Sequence, residues 1–60
     1  MNSADLEKVY ESVALKLDEV GQENRELYLA KLVLLLAHSH GDVEAVQKHI
    51  EDASAGVLVS

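Results

Sequence analysis

The stretch LVLLLAHSHGD, residues 32–42, decides how the rest of the chain is read. Leu32, Val33, Leu34, Leu35, Leu36 and Ala37 run without a polar interruption into His38, Ser39 and His40, and Gly41-Asp42 closes the run. Extended upstream to Gln22, this segment has helical length. On a wheel of 100° per residue, Leu27, Tyr28, Leu29 and Ala30 together with residues 32–37 occupy most of the circumference. Only Asn24, Lys31 and His38, at heptad spacing, form a polar line. A helix that is apolar nearly all round has to be buried nearly all round. In a chain of 60 residues, two flanking helices can cover about half of it. The remainder calls for another molecule, and a symmetric homodimer is the commonest source of one.

The flanking segments follow from the glycines. Proline is absent, and Gly21, Gly41 and Gly56 divide the chain into three pieces of helical length, each glycine suited to a helix stop. The first helix is expected over about residues 4–20, with Ser3 as N-cap and Asp5 and Glu7 in the favourable first turn. Leu6, Val9, Tyr10, Val13, Leu17 and Val20 recur at spacings of three and four and form one stripe, with Leu15 on the opposite side. The second helix covers about 22–39. The third, about 42–55, starts at Asp42 as N-cap and carries a narrow stripe of Val43, Val46, Ile50 and Ala53. Glu44 and Lys48 are placed for an i,i+4 pair, and the closing GVLVS is expected to dock on a partner or fray. The fold expected is therefore all-α, one domain of three helices, assembling as a homodimeric bundle of about six. The interface is expected on Leu29, Leu32, Val33, Leu35 and Leu36.

Composition narrows the function. So short a chain is marginal alone, and the usual supports are disulfides, a structural metal or a partner. The absence of cysteine removes disulfides and thiolate metal sites. Five Lys and Arg stand against eleven Asp and Glu, a net charge of −6, which opposes binding to nucleic acid and to anionic lipid. The apolar run is too short for a membrane span, and MNSADLEKVY has no basic leader region, so a cytoplasmic protein is expected. Two tyrosines, Tyr10 and Tyr28, are the only aromatic residues, which gives little support to a stacking site for a flat cofactor; no cofactor is expected. Both read as residues at the edge of the core with hydrated hydroxyls.

The chemical groups most open to a site reading are His38, His40 and Asp42, since imidazole and carboxylate suit zinc, nickel or iron and a turn can aim alternate residues at one point. The spacing is not the i,i+4 arrangement by which a helix itself converges two imidazoles. The plainer reading puts His38 on the polar line at a helix C-terminus, where the dipole favours positive charge, and Asp42 in its cap. His49 flanks the third stripe and is expected to face solvent. For catalysis, Ser39 lies between two histidines that point in other directions on a helix. The carboxylate pairs Glu7–Glu11 and Glu23–Glu26 read as solvated faces, and no enzymatic activity is expected.

The stretch from Leu27 to Val46 resembles a family of short, uncharacterised bacterial helical proteins. Its members carry a central leucine-rich block followed by a histidine-containing turn and Gly-Asp. Leu29, Ala30, Lys31, residues 32–37, Gly41 and Asp42 fit that pattern, and Asp5 and Tyr10 fit its N-terminal helix loosely. The turn departs from the family's Asn-His-x, since Ser39 stands at the histidine place between His38 and His40. The resemblance implies no enzymatic activity. The genes of such proteins tend to lie near those of flavin-dependent hydroxylases of aromatic compounds, which implies an accessory role.

Overall fold

A computed structural model describes residues 1–57. It is all-α, with helix α1 at Ser3–Val20, a single 3₁₀ turn at Gln22–Asn24, α2 at Arg25–His40 and α3 at Val43–Ala53. The three-helix reading of the sequence is what the structure shows, with local corrections at the ends.

The cap of α1 is one residue earlier than expected. Asn2, not Ser3, is the N-cap, and its Oδ1 accepts the Asp5 N–H at 2.8 Å. Both residue types cap well, and the one whose side chain reaches the third helical amide takes the position. Helix α1 ends at Gly21, whose φ of 85° and ψ of 160° send the chain out extended before residues 22–24 wind into the 3₁₀ turn. The turn takes up the start of the expected second helix, so α2 proper begins at Arg25. The corner is tied down by Asn24, whose Nδ2 donates to the Val20 carbonyl at 3.0 Å, and by Arg25 beside Asp18 at 3.4 Å. Lys16 and Glu19 pair at 2.8 Å on the last turns of α1.

Helix α2 stops at Gly41 in the left-handed conformation, φ 80°, with its N–H donating to the Ala37 carbonyl at 3.0 Å. An L side chain at this position would be strained by the backbone alone, since an added Cβ would meet no atom within 4 Å. Asp42 then caps α3 as read from the sequence, its Oδ1 accepting the Ala45 N–H at 3.2 Å. On α3, Lys48 lies 3.9 Å from Asp52 rather than pairing with Glu44. Both carboxylates are four residues away on an exposed helix, and the choice between them is a matter of rotamer. Residues 54–57 form a turn, with the Val57 N–H on the Ser54 carbonyl at 3.1 Å. The rest of the closing segment, residues 58–60, lies outside the described residues.

The helices meet only near their corners. Among the described residues, no two Cα atoms twelve or more positions apart come within 8 Å. The radius of gyration is 13.0 Å, where a compact chain of this length has about 10 Å. No described residue is buried, whether apolar or polar. The nearest approach to a core is a half-buried line of Val13, Leu17 and Val20 on α1 with Tyr28 and Leu32 on α2. A second, smaller one joins Ala37 to Ala45 and Val46. The flanking helices therefore shelter even less of α2 than the half that a compact arrangement would allow.

Candidate interaction surface

On α2 the half-buried residues are Tyr28 and Leu32 towards α1, and Ala37 towards α3. Between and beyond these lines the leucines stand open to solvent. Relative exposure is 40% at Leu29, 48% at Val33, 60% at Leu36, 69% at Leu35 and 70% at Leu34. Of the five residues expected at an interface, Leu29, Val33, Leu35 and Leu36 are thus exposed, and Leu32 is partly covered by α1. Single exposed leucines are ordinary on protein surfaces, but a continuous group along one helix is not.

The α3 side extends this surface. Val33, Leu36, Ala37 and His40 of α2 face Val46, His49, Ile50 and Ala53 of α3 across an open groove of roughly 300 Å³. A second, adjoining groove is lined by Leu29, Ala30, Val33, Leu34, Ile50 and Ala53, together with Glu26. Val33, Ile50 and Ala53 belong to both. The α1 side is more polar, since Lys8, Ser12 and Lys16 share the α1–α2 groove with Val9, Val13, Tyr28 and Leu32. The hydrogen bond and charge of Glu19 hold the Lys16 ammonium above the ordinary lysine range.

The total area gives the scale. The chain exposes 5582 Å², whereas a folded monomer of 6.5 kDa exposes about 3,800 Å². The excess, about 1,800 Å², is more than twice the roughly 800 Å² that each partner contributes to an interface of standard size.

The histidine turn is arranged differently from the ligand set read from the sequence. His40 lies against His49 of α3, ring centroids 6.0 Å apart and the planes at 76°, an edge-to-face contact across the corner. The Asp42 carboxylate is engaged as the α3 cap. Among the described residues, no three His, Cys, Asp or Glu side chains are gathered so as to hold a metal ion. The contact of His40 with His49 was not foreseen. The signal for it was present, since His40 ends α2 and His49 adjoins the α3 stripe, but it depends on the corner angle set at Gly41-Asp42. No helix among the described residues is long and apolar enough to cross a membrane. No protein-family model, curated protein or solved structure matches the chain.

Proposed function

We propose that this chain is a small non-enzymatic interaction protein, an accessory or regulatory subunit of the bacterial cytoplasm that assembles as a homodimer through α2. The observation that carries the reading is the open row of Leu29, Val33, Leu35 and Leu36 in a chain with no buried residue among those described. Hydrophobic burial dominates folding, and apolar side chains that are at best half-buried among the described residues favour burial against a second molecule. The resemblance read over Leu27 to Val46 implies the same kind of role, an accessory protein without catalysis. A metal-centred role for His38, His40 and Asp42 lacks a gathered ligand set among the described residues.

Light scattering of the purified chain over a range of concentrations tests the assembly. A mass twice that of one chain at micromolar concentration is expected, and a folded single copy there removes the reading. The accessory role has a separate test. With a net charge of −6 on each chain, the dimer meets a larger protein through acidic faces, so capture of that protein by the tagged dimer weakens as ionic strength rises. Absence of any salt-sensitive partner leaves the dimer standing and removes the accessory role.

A further inference from the structure

We propose that the second copy docks with its α2 antiparallel to the first, the two helices crossing between Leu32 and Val33, so that Leu29 of one copy meets the partner's Leu36. The inference rests on the dimer reading above and adds the geometry of its seam.

The seam is chosen by spacing. Leu29, Leu32, Val33 and Leu36 stand at i, i+3, i+4 and i+7, the pattern by which two helices interlock; Ala30, Val33, Leu34 and Ala37 repeat that spacing but contribute two alanines, one of them already half-buried, and so less apolar bulk. Leu29, Val33 and Leu36 are exposed and Leu32 is half-buried, so the row is open along its length. Ile50 and Ala53 of α3 flank it beside Val33 and widen the apolar face on that side. The opposite flank, in the α1–α2 groove, carries Lys8 and Lys16 and suits solvent. The occupant is a second copy because the excess exposed area, about 1,800 Å² per chain, matches what an obligate homodimer removes.

Direction follows from charge. A two-fold interface sets the same surface against itself, so residue i meets residue j and j meets i. In a parallel arrangement the two α2 N-termini lie together, Glu26 beside its own copy, and the helix dipoles reinforce each other unfavourably. In the antiparallel arrangement the N-terminal turn of one α2, with Glu26, lies beside the C-terminal turn of the other, with His40, and the two helix dipoles attract. The apolar row reads alike in both directions, since its midpoint falls between Leu32 and Val33. Its burial is therefore the same in both cases, and the ends decide.

The chain has no cysteine, so introduced thiols report the seam without background. Leu29 and Leu36 are separated by about 10.5 Å of helix rise, beyond the roughly 7 Å Cα separation a disulfide can span, so they cannot join within one chain. The doubly substituted chain, Leu29→Cys with Leu36→Cys, is expected to convert to a covalent dimer on mild oxidation, while each single variant stays unlinked. Efficient linkage in the single variants indicates a parallel seam and overturns the proposal. A non-covalent dimer that none of the variants links places the seam elsewhere, overturns the proposal and leaves the dimer reading intact. A monomeric unsubstituted chain overturns both. If the substitutions disturb folding, an isotope-mixed sample of the unsubstituted chain supplies the same answer: methyl contacts between Leu29 of one copy and the partner's Leu36 are expected, and contacts between like leucines contradict it.

Discussion

Helices α2 and α3 are both exposed along their apolar residues, yet their sequences make different demands. In α3, Val43, Val46, Ile50 and Ala53 keep to one narrow stripe, and Glu44, Lys48, Glu51 and Asp52 occupy the remainder. One neighbour satisfies such a helix. In α2, apolar residues surround the axis apart from the line through Lys31 and His38, and only Tyr28, Leu32 and Ala37 gain partial cover. A stripe reports where a neighbour sits. A helix apolar on all but one line asks for more neighbours than a stripe does, and the proposed partner is therefore placed on α2.

The contrast can be broken most forcefully by placing a charge on the α2 row. Leu36→Asp is expected to weaken the proposed dimer by about 4 kcal/mol or more, since an unpaired carboxylate would have to be desolvated in the proposed seam. Sedimentation equilibrium would read this as at least a thousandfold rise in the dissociation constant. The same charge at Leu15, on the open back of α1, is expected to change stability by no more than about 0.5 kcal/mol. Equal effects at the two positions would erase the distinction between them.

Smaller effects sharpen the α3 side. Gly41→Ala forces a left-handed conformation on a residue with a Cβ, and the thermal midpoint should fall by the equivalent of about 1–2 kcal/mol. Asp42→Ala removes the α3 cap and is expected to cost about 1 kcal/mol in urea denaturation, with α3 amides losing hydrogen-exchange protection ahead of those in α2. Protection lost equally in both helices would show that α3 and α2 unfold as one unit and do not differ in local stability.

The smallest effect belongs to the Lys16–Glu19 pair. Because the Lys16 pKa is raised in the folded chain, the stability it contributes is fully present below the unfolded lysine pKa and disappears as pH rises through the folded value. The pair is exposed and its contribution slight. Lys16→Met should lower the urea midpoint a little at neutral pH and not at all at strongly alkaline pH. A difference that persists in alkali would assign the effect to the stem of Lys16 against Val13 and Tyr28.

Much of the architecture was legible in the sequence because it is written in local signals. Gly21 and Gly41 punctuate the chain, periods of three and four define α1 and α3, and Asp42 caps the helix it precedes. Details that depend on which of two equivalent groups arrives first were not legible. Asn2 displaced Ser3 as cap, Asp52 displaced Glu44 as the partner of Lys48, and residues 22–24 wound more tightly than an α-helix. The surface on α2 was visible as a helix apolar on all but one line, but its unequal exposure, with Leu32 partly covered and Leu34 to Leu36 open, depends on the corner angles. Those angles are set by ties such as Asn24 to Val20 and by the left-handed Gly41, and no wheel diagram contains them.

The central claim is that folding of this chain is completed by a second molecule, and thermal melting over a wide range of concentration tests it most directly. A melting temperature that climbs with each tenfold increase in protein, together with loss of helix at high dilution, is the predicted result. A sharp, concentration-independent transition of a monomer, with α2 amides strongly protected from exchange in the single copy, would contradict it.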